Sequence, residues 1–145
     1  MELQLIKKSN AMLRYLFAGL PLVLLLALGC NRGSTSAATP ATVTDLSVAA
    51  FAEKMNDPEV VILDVRTPEE TAEGMIVGAR EIDFNAPDFT ERIAQLDKQK
   101  TYLVYCRSGN RSGQAIQAMA EIGFKDLYNL EGGFMAWSEA GQPQE

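Results

Sequence analysis

Between Thr101 and Ile122 the chain passes from strand to helix through a turn that carries a cysteine, and this junction limits the folds open to it. Thr101-Tyr102-Leu103-Val104-Tyr105 is β-branched, aromatic and apolar, the composition of a buried strand. From Ser112 onward Ala115, Ile116, Met119, Ala120 and Ile122 recur at helical spacing, and Gly123 supplies a stop. Cys106-Arg107-Ser108-Gly109-Asn110-Arg111 lies between the two. Successive N–H groups in such a glycine turn point inward and the helix adds its positive end, so the turn forms an anion cradle. A cysteine at its rim is expected to have a depressed pKa, its thiolate favoured by those dipoles and by Arg107 and Arg111.

The rest of the chain repeats the strand-then-helix rhythm. Leu46, Val48, Phe51, Ala52 and Met55 predict a short amphipathic helix with Ser47 as N-cap. Val60-Val61-Ile62-Leu63 is a continuous apolar run, the mark of a strand buried on both faces. Thr67-Pro68-Glu69-Glu70 has the form of a capping box with proline at the first helical position, and Gly74 ends that helix. A short strand is expected over Ala79 to Ile82, and a helix opened by Asp88 carries Phe89, Ile93 and Leu96. Asp126 to Leu130 forms a last strand, Glu131-Gly132-Gly133 turns the chain, and Phe134 to Ala140 closes it as a helix with Trp137. This alternation places residues 45–145 in the α/β class, a parallel sheet with helices on both faces. Sites in such sheets lie at the carboxyl ends of strands, where Cys106 falls.

Charge and composition exclude several functions. The chain contains no histidine, which removes Ser-His and Cys-His pairs and any imidazole metal site, and nothing in it calls for a cofactor. With 13 basic against 19 acidic residues and no basic run beyond the N-terminus, nucleic acid is not an expected partner. Residues 1–30 read as a lipoprotein-type signal segment. Lys7, Lys8 and Arg14 give a positive start, and Tyr15 to Leu28 is apolar but shorter than the roughly 20 residues of a spanning helix. The segment ends in Leu26-Ala27-Leu28-Gly29-Cys30, which resembles a lipobox with Cys30 as the lipidated residue, although Ala27 and Leu28 depart from the usual order. The plainer alternatives are an uncleaved anchor, or an ordinary signal with Cys30 incidental. Asn31 to Thr44 is small and polar, a flexible tether that would let an exported domain stand off a membrane. Setting residues 1–30 aside removes Lys7, Lys8, Arg14 and Glu2, leaving 10 basic and 18 acidic residues. Attachment is therefore expected through the lipid rather than through charge.

Four stretches in order resemble the rhodanese-like sulfurtransferases: Asp64 to Glu70, Gly74 to Ala79, Cys106 to Ser112, and Leu130 to Trp137. The resemblance runs from about Leu46 to Trp137. It implies a five-stranded parallel sheet, Cys106 as a nucleophile that carries sulfur as a persulfide, and a substrate cradle made by Arg107, Ser108, Gly109, Asn110, Arg111 and Ser112. Two positions depart from the family pattern: Met75 stands where histidine is usual, and Thr71 where an aromatic residue is common. Neither is catalytic in that pattern. Cys106 through Arg111 is a six-residue loop, shorter by one than that of the related phosphatases, which favours a sulfur-sized pocket.

The chemistry needs no general base once the thiol is ionised. A thiolate attacks the outer sulfur of an anionic donor such as thiosulfate, sulfite leaves, and cyanide or an acceptor thiol then takes the sulfur. Blander readings stand beside this. A lone cysteine is often a small buried hydrophobe, and the two arginines could be solvated surface charges. With Cys30 lipidated, however, Cys106 would be the one free thiol of an exported protein, a liability unless it is used. Asp64 and Arg66 read as a structural ion pair, and Trp137 and Phe134 as core. Two functions from different classes remain open: an enzyme cycling through a Cys106 persulfide, and a non-catalytic sulfur-carrier or anion-binding module that works with a partner protein. A phosphatase or arsenate reductase is opposed by loop length and by the lack of a second cysteine for a relay.

Overall fold

A computed structural model of the chain describes residues 40–145. The expected signal segment and Cys30 lie outside the described residues. In chain order the elements are β1 (Thr42–Leu46), α1 (Val48–Lys54), β2 (Val60–Asp64), α2 (Pro68–Thr71), β3 (Arg80–Glu81), α3 (Phe89–Ala94), β4 (Thr101–Tyr105), α4 (Asn110–Glu121), β5 (Asp126–Leu130) and α5 (Gly133–Glu139). The five strands form one sheet in the order β1-β5-β4-β2-β3, and every pairing is parallel. Among the described residues no helix is long and apolar enough to cross a membrane.

The unbroken apolar character of β4 follows from its central place. Successive side chains of a strand point to opposite faces, so both faces must be apolar when both are covered. Tyr102 and Val104 pack on one side with Phe89 and Ile93 of α3 and Ala115, Ile116 and Met119 of α4. Leu103 and Tyr105 pack on the other with Phe51 of α1 and Trp137 of α5. Phe51 and Trp137 meet edge to face, with ring centroids 6.0 Å apart, a geometry that adds about 0.5–1.5 kcal/mol beyond area burial. The helix starts come from local chemistry: Ser47 Oγ accepts the Ala50 N–H, and Thr67 with Glu70 forms the full capping box that the sequence predicts.

The domain begins earlier than the sequence indicates. Thr42 to Thr44, expected as the end of the tether, are part of β1, paired in register with Asp126 to Leu130 of β5. The reason is that β1 is an edge strand held by backbone hydrogen bonds, and the side chains of Thr42 to Asp45 are exposed. A strand without an apolar face leaves no periodic signal. The register sets Asp45 directly beside Asn129. It also brings the carboxyl ends of β1, β5, β4 and β2 to one edge of the sheet, where the cysteine loop begins.

Candidate active site

Cys106 is the first residue after β4, only 1% exposed, and its sulfur faces the start of α4. The Gly109 N–H donates to Sγ at 3.2 Å, and Ser112 Oγ lies 3.4 Å from it. Burial works against the thiolate. The Ser112 hydroxyl and the backbone N–H groups of Ser112, Ser108 and Gly109 outweigh it, so the thiol titrates below its ordinary value. The direction agrees with the sequence reading, but the leading cause is different. Donors of the turn and the first helical turn lead, and the charge of Arg111 acts beside them.

Arg111 has a carboxylate partner of its own chain as well as the sulfur. Arg111 is gripped by Glu70 of α2 through two parallel bonds of 2.7 Å, Nη1 to Oε2 and Nη2 to Oε1. Chiefly through that hydrogen-bonded pairing with Arg111, the Glu70 carboxyl is held down to about 2. A depressed carboxylate lends its stability above the unfolded-state value and loses it only as pH falls through the folded one. Arg111 therefore stays clamped until strongly acid pH, and from that position its charge still acts on Cys106. Arg107, Ser108 and Asn110 are exposed at the mouth, and Asn110 Oδ1 accepts from Gln114 on the next turn of α4. The structure thus brings Ser108, Gly109 and Ser112 around the sulfur, sets Arg111 beside it through Glu70, and turns Arg107 and Asn110 outward.

Beneath the loop lies a rigid support. Arg66, 3% exposed, forks onto Asp64 with its Nη2 at 2.7 Å, donates to the Gly74 carbonyl at 2.6 Å, and stacks its guanidinium 3.9 Å from the Phe134 ring centre. This is the structural pair the sequence predicts. Removing one partner of such a buried pair strands the other charge, at a cost of roughly 3–5 kcal/mol. Tyr105, buried beside it, accepts the Ile76 N–H on its hydroxyl at 3.1 Å and so ties the 74–78 turn to β4. Thr71 fills its family-divergent position by bonding Glu81 and the Pro68 carbonyl.

Three contributors escape a sequence reading. Glu70 was legible only as part of a capping box. Gly133 was legible only as a turn residue, yet its close approach to the loop lets the Phe134 N–H reach the Cys106 carbonyl at 2.8 Å and the Met135 N–H the Arg107 carbonyl at 3.1 Å. The doubled glycine after β5 was the available signal. Asn129 is an amide buried in β5 beside Leu130, and a buried polar side chain needs partners. Its polarity was the signal for a hydrogen-bonded role. Among the described residues no cluster of three or more cysteine and carboxylate side chains is placed to hold a metal.

Fold and site together define an α/β protein with a buried cysteine held among backbone donors at the carboxyl edge of a parallel sheet. The chain belongs to the rhodanese-like domain family, whose model matches residues 47–140. It is 43% identical over 103 residues to a putative sulfurtransferase, YtwF, of Bacillus subtilis, covering 70% of this chain and 97% of that one. It is 36% identical to the thiosulfate sulfurtransferase GlpE of Shewanella oneidensis, over 66% of this chain and 92% of that one. A crystal structure of a rhodanese-related protein from Thermoplasma volcanium superposes with a TM-score of 0.63 at 29% identity, covering 70% of this chain and 97% of the other. At the level of the family, the chain is a rhodanese-type sulfurtransferase homologue.

Proposed function

We propose that this protein moves sulfane sulfur from thiosulfate or a polysulfide to a thiophilic acceptor through a persulfide on Cys106. The observation that carries the reading is the buried Cys106 sulfur facing the Gly109 N–H and the Ser112 hydroxyl, with its thiol shifted toward the thiolate. The Cys106 thiolate attacks the outer sulfur of thiosulfate. The sulfur–sulfur bond of the donor breaks and sulfite departs with its electron pair, leaving Cys106–S–S⁻. Cyanide or an acceptor thiolate then attacks the terminal sulfur, and the cysteine leaves as thiolate. No proton has to be removed by a base in either step, and both keep negative charge where the turn N–H groups point. Arg107 at the mouth supplies a positive charge to an arriving anion. Arg111, clamped by Glu70, holds the shape of the loop and adds a fixed field.

Intact mass measured on the purified protein after thiosulfate, then after cyanide, tests this. The expected result is a gain of one sulfur atom that cyanide removes while thiocyanate accumulates catalytically. A sulfur adduct with negligible turnover would mean a carrier module that depends on a partner protein. No adduct from thiosulfate or polysulfide would overturn the reading in favour of an anion-binding module.

The export signal, the lipid on Cys30 and the membrane tether belong to the same proposal and rest on the sequence of residues 1–41. Cys30→Ser should move the protein from the membrane fraction of exported material to the soluble exported fraction. Continued membrane attachment of that variant would identify the apolar segment as an uncleaved anchor.

A further inference from the structure

Ser112 is placed to serve two acceptors with one proton. Its Oγ is 2.6 Å from Asn129 Oδ1 and 3.4 Å from Cys106 Sγ, and its side chain is wholly buried. A hydroxyl carries a single hydrogen, so it cannot donate to both at once. The orientation of the Asn129 amide decides which one wins. Asn129 Nδ2 donates to Asp45 Oδ1 at 2.7 Å and to the Gly109 carbonyl at 3.3 Å. Both of those partners are acceptors, so the amide nitrogen must face them, and Oδ1 must face Ser112. The short 2.6 Å separation then makes Asn129 the resting acceptor of the Ser112 proton.

We propose that Asp45 and Asn129 form a positioning chain that holds the Ser112 hydroxyl away from Cys106 while the sulfur is neutral and yields it when the sulfur becomes charged. In the resting thiol, Ser112 Oγ donates to Asn129 and its lone pair is open to the S–H. When the thiol proton leaves to solvent, the hydroxyl turns to Sγ, and the same turn serves the anionic persulfide. Only the hydroxyl rotates, and no proton passes along the chain. Each turn toward sulfur gives up the bond to Asn129, so the chain works against ionisation, and its removal should make the thiolate easier to form. The register of β1 on β5 is what delivers Asp45 to this position, which ties the first strand of the domain to the reacting atom. The other charges around the site are Arg111 of α4 with Glu70 of α2, Arg107 in the loop, and the pair of Asp64 at the end of β2 with Arg66 just after it.

This inference rests on Cys106 being the reacting sulfur, but it can be read without any sulfur donor. The rate at which iodoacetamide alkylates Cys106 across pH reports the thiolate fraction, taken in a Cys30→Ser background so that one thiol remains. Asn129→Ala should shift the profile to lower pH, with alkylation about five-fold faster on its acid side, the factor set by one modest hydrogen bond. In a Ser112→Ala background the same substitution should change nothing, because Asn129 acts only through Ser112. Asp45 is exposed, so its substitution spares the core. Asp45→Ala leaves the amide only its longer contact with Gly109 and should shift the profile in the same direction. Asp45→Asn retains an acceptor and should restore the parent profile. An equal shift from Asp45→Asn and Asp45→Ala would overturn the chain in favour of simple charge removal. A shift from Asn129→Ala that persists without the Ser112 hydroxyl would overturn it as well. Should Asn129→Ala fail to fold, the two Asp45 variants decide alone. Failure of the protein to gain sulfur from any donor would count against the sulfurtransferase reading and leave these alkylation profiles standing.

Discussion

Cys106→Ser is expected to lower sulfur transfer by about three orders of magnitude or more while the fold and its stability stay close to those of the parent. The two side chains differ by one atom. A serine hydroxyl at this position can accept from the Gly109 N–H and donate to the Ser112 oxygen as the thiol does, so the buried site stays satisfied. What is lost is the nucleophile. An alcohol is a far weaker acid than a thiol and stays protonated in this loop, and oxygen forms no persulfide. Thiocyanate production from thiosulfate and cyanide, with denaturant unfolding in parallel, gives both numbers. Turnover retained in the variant would remove Cys106 from the mechanism, and lost folding would reveal a structural cysteine.

Gly133→Ala should be the most disruptive conservative change outside the loop. Gly133 is buried with φ +61°, and a Cβ there would stand 2.4 Å from the Cys106 carbonyl oxygen and 2.6 Å from the Arg107 carbonyl carbon and oxygen. These neighbours are backbone, which cannot swing aside as a flexible side chain can. The left-handed conformation alone costs an alanine roughly 1–2 kcal/mol. Displacing the Cys106–Arg107 peptide and its bonds from Phe134 and Met135 brings the expected loss to about 2–4 kcal/mol. Activity should fall further than stability predicts, because the displaced peptide carries the nucleophile. Gly123→Ala is the control, since it too has a positive φ, +100°, but meets nothing within 4 Å. Denaturant midpoints and thiocyanate rates for the pair separate clash from backbone strain. Equal behaviour of the two variants would dismiss the role of Gly133 as a buttress.

The parts of this fold that were legible in the sequence carry strong side-chain signals. β2 and β4 are apolar on both faces because both faces are covered, so their runs announce a parallel sheet before any pairing is known. The Thr67-Pro68-Glu69-Glu70 start and the Ser47 cap are local chemistry, complete within four residues. β1 carried no such signal: its outer residues face solvent, and only pairing with Asp126 to Leu130 makes it a strand. The short β3, Arg80–Glu81, lies within the strand expected over Ala79 to Ile82, trimmed to the two rungs that pair with β2.

The same division runs through the site. From the sequence alone came the α/β class, the position of Cys106 at a strand end before a helix, and an inward-facing turn able to stabilise its thiolate. These follow from backbone geometry and periodicity, which neighbouring residues encode. Which groups act on the sulfur was decided only by tertiary structure. Glu70 reaches Arg111 across 41 positions of chain, Asn129 reaches Ser112 across 17, and Asp45 reaches Asn129 across 84. A guanidinium is equally able to meet a substrate anion or a carboxylate of its own chain, and composition cannot choose between them. Sheet register and helix packing choose, because they fix which partner lies within hydrogen-bond reach.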